Sequence, residues 1–176
     1  MKIIINLHNV GLGNNGGSRT LIRCAEVLSE LGNTVIMCSN HKSKYTWHKI
    51  KSEVRVIHSN KVPNGDVIIA TGYKSVKSTV RSSIKRKFYY IRGFELWQAS
   101  EKDLVKSYKS LNCIVNSSCL YDFLAKNKIN SKIMFAGLDF DMYYDKHIDR
   151  NPVIGGVFHK KHKTKKHDHL LDISNE

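Results

Sequence analysis

The sequence predicts an α/β fold built on a doubly wound parallel sheet. Three observations carry this. Short β-branched runs alternate with stretches of helical apolar spacing, the first run opens into a glycine-rich turn, and the second run lies close behind the intervening helix, where a right-handed crossover places a parallel neighbour.

Residues 2–7 hold three consecutive isoleucines and end at Gly11-Leu12-Gly13-Asn14-Asn15-Gly16-Gly17, as expected of a buried parallel strand entering a loop. In the helix that follows, Ser18 is placed to cap. Leu21, Ile22, Ala25, Leu28 and Leu31 form the inner stripe, Arg19, Arg23 and Glu26 the outer face, and Gly32 the stop. Further strands are expected at 34–38, 54–57, 67–70, 88–91, 113–115 and 133–136, with helices near 76–84, 101–108 and 120–126. Beyond Gly137-Leu138-Asp139, the polar stretch 146–151 and Pro152 suit a linker. The expected domains are therefore 1–150 and, as the truncated start of a second, 151–176, opening with a strand over 153–158.

Lys and Arg total 29 against 15 Asp and Glu, for a formal net charge of +14. This balance selects anionic partners: sugar nucleotides, phospholipid surfaces or nucleic acids. A hydrophobic content of 41% with 25% charged residues excludes a chain too polar to bury a core. The basic excess thickens between His159 and His169, where a solvated charged face is the plain alternative to a binding surface. Cys24, Cys38, Cys113 and Cys119 show no metal or redox spacing, and three of the four lie in apolar segments as reduced core thiols. The opening apolar run is broken by Asn6 and His8, too short for a signal peptide or a span. A cytoplasmic location is expected, with any membrane contact peripheral.

A glycine turn between a strand and a helix lets backbone N–H groups approach an anion, to which the helix N-terminus adds partial positive charge. Gly11-x-Gly13-x-x-Gly16 also satisfies the dinucleotide fingerprint, but the second strand ends Cys38-Ser39-Asn40-His41-Lys42, without the carboxylate that would hold a ribose hydroxyl. NAD is therefore disfavoured. A phosphorylated or glycosidic ligand, or a tight turn with no ligand, remains.

At this point the residues resemble a family. Asn15-Gly16-Gly17-Ser18-Arg19 and the helix through Val35 resemble the opening of family 4 glycosyltransferases, which have the two-Rossmann-domain (GT-B) architecture. Ala136-Gly137-Leu138-Asp139 resembles that family's interdomain crossing, and Ile154-Gly155-Gly156 through Leu171 resembles the entry to its nucleotide-binding domain. The resemblance implies a Rossmann-like acceptor-side domain, transfer of a sugar from a nucleoside-diphosphate donor to a glycan or lipid-linked acceptor, and no bound metal or other cofactor. It implies that Gly16 and Gly17 approach the transferred sugar or its diphosphate. Lys165 then neutralises the leaving diphosphate, with Lys160 as a further contact, and positive charge there suits a departing nucleoside diphosphate. Tyr89 through Trp97 resembles a cleft-bordering segment in which Arg92, Glu95 and Trp97 contact the acceptor, Trp97 by stacking and Glu95 by accepting from hydroxyls. A core Trp97 and a surface Glu95 are the alternative. The chain departs from the family where His159, Lys160 and Lys161 stand near its usual arginine, and where its paired acidic donor motif has no counterpart before Glu176. A non-catalytic truncated chain, or a partner-dependent acceptor-binding half completed by a separate donor-binding subunit or by a homo-oligomer, is thus a second reading.

Two rivals are weaker on the residues. The histidines at 159, 162, 167 and 169 could hold zinc, but intervening lysines would repel a dication. A basic nucleic-acid module matches the charge, yet no helix-turn-helix, RNP-like aromatic pair or zinc-finger spacing occurs.

Overall fold

The computed structural model describes residues 1–137 together with 140 and 144. The chain divides into two units, Met1–Gly137 and Leu138–Glu176. The expected boundary near 150 and the strand over 153–158 lie outside the described residues.

Seven strands form one sheet: β1 (Lys2–Asn6), β2 (Thr34–Ser39), β3 (Val54–His58), β4 (Val67–Ala70), β5 (Arg86–Ile91), β6 (Asn112–Val115) and β7 (Ser131–Ile133). Their order is β3-β2-β1-β4-β5-β6-β7, and every pairing is parallel. Four helices connect them: α1 (Gly16–Glu30), α2 (Tyr73–Arg81), α3 (Glu101–Tyr108) and α4 (Ser118–Lys126). This is the doubly wound, Rossmann-like sheet that the alternation predicts. Strand order runs one way from β1 to β3 and the other way from β4 to β7, so the β1/β4 junction is the switch point of the sheet.

Side-chain alternation assigns the two faces. Ile5, Leu7, Val35 and Met37 pack with Leu21, Ile22 and Ala25 of α1. Ile4, Ile36, Cys38 and Ile68 point to the other face, where they pack with Ile84 and Val62. On that same face Ala70 joins Val76 of α2, Leu104 and Tyr108 of α3, and Leu120 and Leu124 of α4 around Tyr89, Ile91, Cys113 and Val115. Helix α1 thus covers one side of the sheet, and α2, α3 and α4 the other. All four cysteines are free, with Cys38 and Cys113 buried, Cys24 half-buried and Cys119 exposed.

Several local expectations shift. Asn15, not Ser18, caps α1: its Oδ1 accepts from the Ser18 N–H at 2.8 Å, while Ser18 Oγ turns back to accept from the Gly13 N–H at 3.0 Å. Asn15 is extended while Gly16 and Gly17 already have helical geometry, so the helix begins earlier than its apolar stripe. Glu26 is 4% exposed rather than on the outer face. Its carboxylate accepts from the Lys51 N–H at 3.2 Å and lies 3.7 Å from Arg23 and 3.9 Å from His48, so the segment leading into β3 covers it. Leu31, expected in the stripe, is 72% exposed because the helix ends at Glu30 and Gly32 turns the chain with φ +80°. Ile84 lies outside the helix expected near 76–84. The strand expected at 133–136 ends at Ile133 rather than starting there, because pairing of Ser131 with Cys113 sets its register, and Met134 and Phe135 emerge exposed.

Candidate functional site

The site lies at the carboxyl ends of β1, β4 and β5. From β1 the chain makes a tight bend, in which the N–H groups of Val10 and Gly11 both donate to the Leu7 carbonyl at 3.0 Å. Asn9 (φ 60°) and Gly11 (φ 73°) take left-handed conformations, which glycine adopts freely and asparagine better than most residues. Paired side chains fix the bend: Asn9 N–H donates to Asn40 Oδ1 at 2.7 Å, and Asn40 Nδ2 returns to Asn9 Oδ1 at 2.8 Å. Farther on, Lys44 N–H donates to the Leu12 carbonyl, and Asn14 exchanges two 2.8 Å bonds with Thr46.

Gly16 and Gly17 open α1, so their amides belong to the first helical turn, which has no preceding carbonyls to bond. Their surroundings differ. A Cβ at Gly16 would meet nothing within 4 Å, whereas one at Gly17 would stand 2.9 Å from Arg92 Nη1 and 3.2 Å from Asn15 Oδ1. Gly17 is small because an arginine crosses it.

Arg92 lies just past β5. Its Nη1 donates to the Gly17 carbonyl at 2.6 Å and its Nη2 to the Thr71 carbonyl at 2.9 Å. One planar guanidinium therefore joins the β1–α1 turn to the β4–α2 turn across the switch point, a geometry that suits arginine and not lysine. Burial lowers the guanidinium's pKa, and the nearby Glu95 carboxylate opposes that shift. Glu95 is half-buried: it accepts from the Tyr73 N–H in the first turn of α2, and from the Tyr89 hydroxyl at 3.1 Å. That turn carries no acidic residue of its own, so Glu95 supplies the negative charge that complements the helix dipole. Burial, with the Glu95 carboxylate beside it, raises the pKa of the Tyr89 hydroxyl and keeps it protonated as the donor.

Trp97 is 73% exposed and Leu96 58%, so Trp97 is not a core residue and its ring is open to solvent. Arg92 and Glu95 are tied into the loop framework a few residues away. Lys160 and Lys165, and the histidines near them, lie outside the described residues. Among the described residues there is no group of three His, Cys, Asp or Glu placed to hold a metal ion, and no helix long and apolar enough to cross a membrane.

Polar residues that the sequence reading passed over prove central. Asn6 is 0% exposed at the end of β1. Its Nδ2 lies 2.8 Å from both Ser78 Oγ and Thr79 Oγ1 and 3.2 Å from the Ser75 carbonyl, and its Oδ1 accepts from the His8 N–H at 3.1 Å. Thr71 Oγ1 donates to the Asn6 carbonyl at 2.8 Å, and Ser75 Oγ accepts from the Thr71 N–H at 3.0 Å. β1 is thereby riveted to α2. The available signal was an asparagine interrupting an isoleucine run, since a buried amide must find partners. His8 is 5% exposed, its Nε2 3.5 Å from Cys38 Sγ, and burial pulls its pKa below the ordinary value. No protein-family model matches the chain, and no curated protein matches it.

Proposed function

We propose that this sheet is the acceptor-side half of a nucleotide-sugar glycosyltransferase, which transfers a sugar from a nucleoside-diphosphate donor to a glycan or lipid-linked acceptor. The observation that supports the reading is the Arg92 bridge. It holds the first turn of α1 beside the switch point and leaves Gly16 with open space around it. A bare helix start at the mouth of a parallel sheet is a natural seat for an oxygen-rich anion. Fold alone does not choose a reaction, so the proposal rests also on the likeness of residues 15–35 to the glycosyltransferase opening. On this reading Lys160 and Lys165 contact the diphosphate, and Arg92, Glu95 and Trp97 border the acceptor.

Thermal-shift titration of the full chain with UDP, GDP and their sugars tests this. A ligand present at 100 times its Kd stabilises the folded state by about 2.7 kcal/mol. At roughly 3 °C per kcal/mol for a chain of this size, the expected rise is about 8 °C. Gly16→Asp should retain the unliganded melting temperature, because an acid suits a helix N-terminus, and should lose the ligand-induced rise through repulsion. No rise with any nucleotide, or a rise unaltered in Gly16→Asp, would remove the proposal.

A further inference from the structure

We infer a second anion site, separate from the α1 turn: a basic trench along α2 that binds a phosphorylated anion carrying several charges in a row. The trench is a cavity of about 530 Å³ on the α2 face of the sheet. Its wall is Lys74, Lys77 and Arg81, which recur at i, i+3 and i+7 along one side of α2, with Lys61 facing them from the segment between β3 and β4 and His8 lining its inner end. No carboxylate lines it.

The gathering of four cations around one hollow with no carboxylate among its lining residues is what points to a ligand. On the opposite face of the sheet, Arg23 and Lys51 are both satisfied by Glu30, and Arg23 also by Glu26. Among the described residues, Lys61, Lys74, Lys77 and Arg81 have no such ion pair. Asp103 lines the adjoining cavity beyond Lys74 and Lys77, but its Oδ2 accepts from Ser100 Oγ at 2.6 Å at the start of α3. Four like charges around one hollow repel one another and focus a positive potential into it, which an anion would relieve.

Shape and lining narrow the class. The volume of about 530 Å³ falls in the small-molecule range. Seven helical steps carry the chain from Lys74 to Arg81, about 10 Å of rise, too long for one orthophosphate to span and suited to a chain of linked phosphoryl groups. No Phe, Tyr or Trp lines the trench to stack bases, as single-stranded nucleic-acid sites require.

Calorimetric titration of the full chain with inorganic tripolyphosphate tests this. Saturable one-to-one binding is expected, weakened about tenfold or more in the Lys77→Gln/Arg81→Gln double variant, a loss of about 1.4 kcal/mol. The control Lys126→Gln/Lys132→Gln removes the same charge from the far edge of the sheet and should change affinity less than twofold. Equal weakening in the two double variants, or uptake that does not saturate at one equivalent, overturns the site. Flotation with phosphatidylcholine vesicles containing phosphatidic acid separates the sources. Capture that tripolyphosphate competes away supports the site and assigns the phosphoryl groups to lipid heads; tripolyphosphate binding without capture supports it and assigns them to a soluble anion. Tighter binding of a single-stranded oligonucleotide through Lys77 and Arg81 would overturn the small-anion assignment.

Discussion

The contact between Gly17 and Arg92 predicts a reversal of sign in a double-mutant cycle. Arg92→Ala removes two charge-assisted hydrogen bonds, at 2.6 Å to the Gly17 carbonyl and 2.9 Å to the Thr71 carbonyl. Such bonds contribute about 1.5–3 kcal/mol each when buried, but the Gly17 carbonyl is exposed enough for water to replace the arginine, so about 2 kcal/mol in total is expected. In the wild-type background Gly17→Ala drives a methyl to 2.9 Å from Arg92 Nη1 and displaces the guanidinium, at a cost of about 1 kcal/mol. With Arg92 already removed, only Asn15 Oδ1 at 3.2 Å crowds the new methyl. The gain in helix propensity of up to about 1 kcal/mol then makes Gly17→Ala neutral to favourable. The coupling energy should therefore be about 1–2 kcal/mol, read from urea unfolding followed by circular dichroism on the four variants. Gly16→Ala, with nothing within 4 Å, should be neutral or stabilising in both backgrounds. If Gly17→Ala costs the same with and without Arg92, the arginine does not occupy the space above Gly17 and the bridge across the switch point is misassigned.

Other consequences are open to direct measurement. Asn6→Ala should cost about 2–4 kcal/mol in denaturant unfolding, because it strands the buried groups of α2 that its amide satisfies and leaves a small cavity; a cost below about 0.5 kcal/mol would show the amide to be dispensable. His8 has its pKa lowered by burial, so the folded state takes up a proton less readily than the unfolded chain. Its contribution is complete above the unfolded value of about 6.5 and is lost as pH falls from there toward the lower folded value. His8→Gln should flatten the melting temperature between about pH 7 and pH 5, and an unchanged slope would assign the acid sensitivity elsewhere. Burial raises the Cys38 thiol and takes Cys113 to about 11, while Cys119 is exposed. A thiol reagent at neutral pH should therefore modify Cys119 first, and reach Cys38 and Cys113 only on unfolding. Mapping of early modification to Cys113 would contradict the burial.

The order of strands and helices was legible in the sequence because the periodicity that encodes it is local. Three isoleucines before a glycine turn, or Leu21, Ile22 and Ala25 at helical spacing, declare their element whatever surrounds them. The glycine-rich turn after the first strand was visible for the same reason. Contacts between distant segments were not. Arg92 reaches Gly17 across 75 positions and Asn6 reaches Thr79 across 73, and no local pattern distinguishes such residues from solvated ones. Glu26, at a helical position that reads as outward, is buried because the approach to β3 folds over it. The basic trench is dispersed in the same way: Lys74, Lys77 and Arg81 share a helix face, but Lys61 and His8 join them only once β1, β3 and α2 have been brought together. Composition fixed how much charge the chain carries; the winding of the sheet decided which charges are neutralised in pairs and which are left around an open hollow.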